Sequence, residues 1–187
     1  MDFVTIIVLG MVATAYMLGM DAAAVRLGLI RGNMIRAVGT LVIPEPIRSP
    51  LTRVAFNFVM GIAFATAYAY LFEVLKIDDL RGYLQIGALM GFVHGAFVSF
   101  FFFVGISAFM SGGEYKSFTV SSAFVNSLSH VLFGALVGLG LGYYATTGSV
   151  MKYAGFLAFA GVAAEGVLLL LVPRRLKPVR VSIERRV

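Results

Sequence analysis

Five apolar runs, each long enough to cross a lipid bilayer, constrain this chain more than any other feature. A membrane-spanning helix needs about 20 consecutive, mostly apolar residues. Residues 3–24, 52–75, 83–110, 120–144 and 152–172 each meet that requirement. Polar turns separate them at 76–82, 111–116 and 145–149, and Pro173 ends the last. The expected fold is an all-α membrane protein, a bundle of about five transmembrane helices over residues 1–172, with a basic tail at 173–187. Only 13% of the 187 residues are charged and 60% are hydrophobic. A soluble domain carries about 25% charge, so no part of the chain is expected to work alone in water.

The segment 25–50 does not fit a span. Arg26, Arg31 and Arg36 interrupt it, and Pro44, Pro46 and Pro50 follow. It reads as a short helix lying in the headgroup region, with a re-entrant half-helix as the alternative. The net charge of +6 is not a nucleic-acid footprint, because the cations flank apolar runs rather than pave a folded surface. With five spans, the linker arginines, Lys116 and the tail fall on one side of the membrane. That side holds twelve Lys and Arg, against three on the other (Lys76, Arg81 and Lys152). Cytoplasmic flanks carry the excess of Lys and Arg. The expectation is a multi-pass protein of the cell membrane, N-terminus outside and C-terminus cytoplasmic, its tail held to anionic lipid. The N-terminus lacks the basic region of a cleaved signal peptide. With no cysteine in the chain, thiol chemistry and disulfides are excluded.

Two spans share a frame. Gly61, Ala65 and Ala69 are spaced by four and followed by Tyr70; Gly134, Gly138 and Gly142 repeat this 73 residues later, followed by Tyr143. Small residues four apart line one helix face and let another backbone approach closely. Asn57 and His130 occupy equivalent positions, and Gly19 corresponds loosely to Gly91. The chain therefore reads as two tandem helix pairs plus a fifth helix. The run from His130 through Gly134 and Gly138 to Tyr143 and Tyr144 resembles a signature of an uncharacterised family of small prokaryotic multi-pass membrane proteins, of the domain-of-unknown-function type, with His-x3-Gly-x3-Gly helices. Residues 13–21 and 91–95 are similar to that family's first and third helices. Asn57 stands where the first copy would carry His. The resemblance implies a fold and no activity.

Ionisable groups inside spans are costly and mark functional candidates. Those in this chain are Asp21, His94, His130 and Glu165, with Asn57 and Asn126 as neutral polar companions. At about 1.5 Å per residue, His94 and His130 both fall near the bilayer midplane. Two imidazoles at one depth would ligate a single haem b iron from opposite sides, with Gly91, Gly95 and Gly134 leaving room for the macrocycle, or would each bind a chlorophyll-type magnesium. The plainer alternative is that each makes an interhelical hydrogen bond, worth about 0.6 kcal/mol on average. Asp21, Asn57, Asn126 and Glu165 all fall in the cytoplasmic half, where they would form one buried cluster reached by Arg53. That cluster reads either as part of a proton path or as a device fixing helix register. The block Phe100–Phe103 would face lipid, a carotenoid, a quinone or a neighbouring subunit. No catalytic triad, phosphate-binding loop or metal-ligand spacing is present, which points away from an enzyme. The leading reading is a non-catalytic integral membrane subunit of a larger membrane complex, in a structural or assembly role. The alternatives are a haem- or pigment-binding redox subunit using His94 and His130, and a small proton-coupled transporter or channel.

Overall fold

The computed structural model describes residues 2–30, 43, 49–101, 119–157 and 160–161. Every regular element among them is helical: α1 (Phe3–Arg26), α2 (Pro50–Leu75), α3 (Leu80–Phe100) and α4 (Val120–Thr147), followed by helical residues 151–157 and 160–161. All four numbered helices are long and apolar enough to cross a membrane, and the chain is an all-α membrane protein. The expected fifth span and the basic tail lie mostly or wholly outside the described residues, as does most of the segment 25–50 assigned to the interface.

Helix ends are set by capping groups, which hydropathy does not report. Asp2, Ser49, Asp79 and Thr119 each cap an N-terminus, accepting from the backbone N–H of Thr5, Thr52, Gly82 and Ser122 respectively. Pro50 occupies the first turn of α2, where its missing N–H costs nothing. α4 stops at Gly148, whose φ of 71° suits glycine. α2 stops at Lys76, which takes the same left-handed conformation (φ 53°) without that freedom. These caps place α1 two residues beyond its expected end, α2 two before its expected start, α3 three before, and α4 three beyond.

Neighbouring helices alternate in direction. Leu9 near the start of α1 packs against Gly140 late in α4, and Asp21 near the end of α1 meets Ser129 early in α4. Arg26, Arg53, Phe100 and Thr119 therefore share one end of the bundle, and Leu75, Leu80 and Thr147 the other. α4 is the central helix, the most deeply buried of the four. Its seam with α3 is the most extensive contact, and α1 packs on both α2 and α4, whereas α2 touches α3 and α4 only slightly.

The α3–α4 seam consists of backbone against backbone. A methyl group on Gly87 would strike the Gly134 carbonyl, one on Gly91 the His130 carbonyl, and one on Gly138 the Tyr83 carbonyl. The α1–α2 seam uses the same device, with Gly10 lying 2.9 Å (as an ideal Cβ) from the Ile62 Cα and Gly61 pressed on Thr14. Gly10 sits between positions 61 and 65 as Gly87 sits between 134 and 138. The packing thus pairs Gly10 with Gly87 and Thr14 with Gly91, rather than Gly19 with Gly91. α2 meets the second pair through rings: Phe64, Tyr68 and Phe72, one turn apart along α2, reach His94, Phe133 and Tyr83. Residues 150–157 cover the opposite side, where the Tyr153 hydroxyl donates to the Leu136 carbonyl (3.1 Å) and Tyr16 donates to the Leu157 carbonyl.

Candidate functional site

Lipid offers buried polar groups no partners, so each must find one inside the bundle or remain unsatisfied. Four of the eight buried polar residues, Ser122, Asn126, Ser129 and His130, lie along α4. Asn126 donates through Nδ2 to the Ser99 hydroxyl of α3 (2.9 Å), and Ser127 also reaches that hydroxyl (3.0 Å). One turn further along, Ser129 and His130 diverge, being about 100° apart around a helix of 3.6 residues per turn. Ser129 faces α1, where its hydroxyl donates to the Asp21 carboxylate (2.6 Å). His130 faces α3 and α2.

His130 is more than nine-tenths buried, and its Nδ1–H donates to the Asn126 carbonyl at 2.7 Å. His94 touches it edge to face, with ring centroids 4.7 Å apart and planes at 83°. Phe64 lies against His94 with centroids 3.7 Å apart, and the Tyr68 hydroxyl is 3.4 Å from His94 Nδ1. Three helices thus bring two imidazoles, a phenol and a phenyl ring to one point. Counted along α4, His130 lies within about 6 Å of the helix midpoint at ~1.5 Å per residue.

This arrangement departs from the haem expectation. A haem needs its two imidazoles on opposite faces of a flat macrocycle, each directing a nitrogen at the iron. Here the rings are in direct contact. Gly91, Gly95 and Gly134, expected to make room for a macrocycle, are occupied instead by the facing helix; an ideal Cβ on Gly95 would lie 2.6 Å from the His130 Cβ. In this arrangement the two rings leave no gap between them for a macrocycle. No group of three or more His, Cys, Asp or Glu able to hold a metal occurs among the described residues.

The expected carboxylate–amide cluster is also divided. Asp21 pairs with Ser129, Asn126 with Ser99, and Asn57 donates to the Arg53 carbonyl one turn back in its own helix (2.8 Å). The Arg53 Nε is buried without a hydrogen-bond partner. Glu165 lies outside the described residues. The packing set Gly61, Ala65, Ala69, Gly134, Gly138 and Gly142 is buried throughout. Gly87, Gly91 and Gly95 complete it on α3 with the same spacing of four. Phe64, Tyr68, Ser99 and Ser129 join the polar site without having a distinctive sequence signal; only the i, i+4, i+8 spacing of Phe64, Tyr68 and Phe72 marks a shared face. No family model matches the chain, and neither does any curated protein or solved structure.

Proposed function

We propose that this protein is a non-catalytic integral membrane subunit whose role is to hold a larger membrane complex together. One observation carries the reading: the buried Asp21, Ser99, Asn126, Ser129 and His130 are directed at one another and at a helix backbone, while the seams are made by close glycine contact. Such an interior fixes helix positions and presents no nucleophile, base and oxyanion donor to a common point. The outward face of α3, with Phe92, Val93, Phe97, Phe100 and Phe101 exposed, would meet lipid or a second helical subunit. Stacking of Phe97 on Phe101 gives that face a firm aromatic edge (centroids 6.3 Å, planes at 16°).

A transporter is the weaker reading. The buried polar groups on α4 stop at His130, and its buried face then continues as Phe133, Gly134, Val137, Gly138 and Leu141. A path through the membrane needs polar groups over the full thickness. The helix order puts Arg26 and Arg53 at one end and Lys76, Arg81 and Lys152 at the other. The described cations alone do not decide the orientation; the reading of a cytoplasmic C-terminus and an external N-terminus rests on the count of Lys and Arg in the full sequence under the positive-inside rule. Kinship with the prokaryotic His-x3-Gly-x3-Gly proteins belongs to the same reading and rests on the run from His130 to Gly138. Extraction from native membrane in mild detergent, with mass analysis, tests the proposal. The expected species is several-fold heavier than the 20.1 kDa chain and contains other membrane subunits. A stable lone monomer would refute it.

A further inference from the structure

We infer that Asp21 is a proton-binding site at the α1–α4 contact, held as the neutral acid at neutral pH with its O–H donating to the Ser129 hydroxyl. Ser129 has one hydrogen and two oxygens to serve. Its Oγ lies 2.6 Å from Asp21 Oδ1 and 2.9 Å from the Val125 carbonyl, one turn back in α4. A carbonyl can only accept, and so can an ionised carboxylate. With Asp21 ionised, the hydroxyl donates to the carboxylate and the Val125 contact has no hydrogen of its own. With Asp21 protonated, each contact has one. The acid donates to Ser129 Oγ, and Ser129 donates its own hydrogen to Val125, the i−4 bond open to a helical serine. Ser127 is placed alike, 3.0 Å from the Ala123 carbonyl and 3.0 Å from Ser99 Oγ, and there the Ser99 hydroxyl supplies the second hydrogen.

Charge balance points the same way. Asp21 is more than nine-tenths buried, and Ser129 is its one hydrogen-bonding partner among the described residues. A buried carboxylate needs cations or several donors around it, and without them takes up a proton instead. No Lys, Arg or His among the described residues bears on it. At its end of the bundle, Arg26 of α1 is exposed and His130 of α4 turns to α2 and α3, while Arg53 of α2 has no contact with it. Tyr16 of α1 donates to the Leu157 carbonyl. The remaining tyrosines, Glu73 and Lys152 of the elements packed on α1 lie toward the opposite end. Asp21 is about 7.5 Å along the axis from Arg26 at the helix terminus, so its proton exchanges with that side of the membrane. The site takes one proton, needs no path across the bilayer, and stands whether or not the chain serves a larger complex.

Infrared spectroscopy of the full chain in bilayers of ether-linked phosphatidylcholine, which carries no ester carbonyl, tests this. The expected spectrum at neutral pH contains the carbonyl-stretch band of a protonated carboxyl, and that band moves to lower wavenumber when aspartate is labelled with ¹³C at its side-chain carboxyl. The label separates Asp21 from Glu165. Exposed aspartates ionise near pH ~4, and the band should persist well above that. Asp21→Asn should remove it. Ser129→Ala should keep the band and raise its wavenumber, because the acid loses its acceptor. The labelled wild type decides the protonation state even if a variant fails to fold. No labelled band at neutral pH, a band that survives Asp21→Asn, or a wavenumber unmoved by Ser129→Ala would each overturn the proposal.

Discussion

Replacing Gly91 with alanine should loosen the bundle by about 2 kcal/mol. An ideal Cβ on Gly91 lies 2.9 Å from both the His130 carbonyl carbon and the Val131 Cα, and overlaps the His130 carbonyl oxygen. Carbon atoms in ordinary contact are about 3.5–4.0 Å apart, so α3 and α4 must separate by roughly 0.6–1 Å. All three obstructing atoms are backbone and cannot rotate away. Overpacking of a filled interior costs about 1–3 kcal/mol. The upper part of that range applies, because separation also weakens the contacts at Gly87, Gly95, Gly134 and Gly138. Alanine returns about 1 kcal/mol through its higher helix propensity, which leaves the stated net loss. Gly155 supplies the control: it is helical and nothing lies within 4 Å of its ideal Cβ. Gly155→Ala should therefore be neutral or stabilising by up to about 1 kcal/mol. Reversible unfolding in mixed detergent micelles, followed by circular dichroism, compares the two. If Gly91→Ala matches or exceeds the wild type, or if both variants respond alike, the backbone-contact account of the seam is wrong.

Further tests address other features. Lys76→Gly should stabilise the end of α2 by about 0.5–1 kcal/mol by relieving the left-handed backbone, measured in the same unfolding assay. A double-mutant cycle of Asp21→Asn and Ser129→Ala should give a coupling of about 0.5–1.5 kcal/mol, the range of membrane hydrogen bonds; zero coupling would mean the α1–α4 bond contributes nothing. Asp2 lies outside the spans, and its pKa is held below the ordinary 3.8, chiefly by the Thr5 backbone N–H and next by the Tyr144 phenol. A depressed carboxyl contributes stability that is full above pH ~4 and is lost as pH falls through the lower folded value. Hydrogen exchange at the first turn of α1 should accelerate across that acid window, and Asp2→Ala should abolish the step. The chain's lack of cysteine allows single-cysteine topology mapping: Asp78→Cys should react with an impermeant thiol reagent in intact cells, and Arg53→Cys only after the membrane is opened.

Four of the spans were legible because lipid imposes a length that their apolar runs satisfy. Their ends were not, because Asp79 or Thr119 caps a helix through one side-chain bond that leaves no mark on hydropathy. Spacing alone identified Gly134 and Gly138 as a contact face, and the same spacing in Gly87, Gly91 and Gly95 marks α3 as the helix it meets. The similar depth of His94 and His130 also followed from counting residues. Depth does not fix rotation about the helix axis, so it could not separate rings in edge-to-face contact from rings held apart by a macrocycle. Asp21 was conspicuous as an acid in a span, yet nothing marked Ser129 among many serines as its partner. Only the relative placement of α1 and α4 decides that pair.

The pairing of Asp21 with Ser129 has a bearing on how the chain is made. The two residues are 108 positions apart, and synthesis delivers α1 first. Until α4 enters the bilayer, the Asp21 carboxyl has no native hydroxyl to bind and must remain near the surface or take a temporary guest. α1 and α2 emerge in succession and can close their glycine seam first, and α3 and α4 can then close theirs. The Asp21–Ser129 bond runs between the two pairs, so it is expected to form only when the later pair docks on the earlier one.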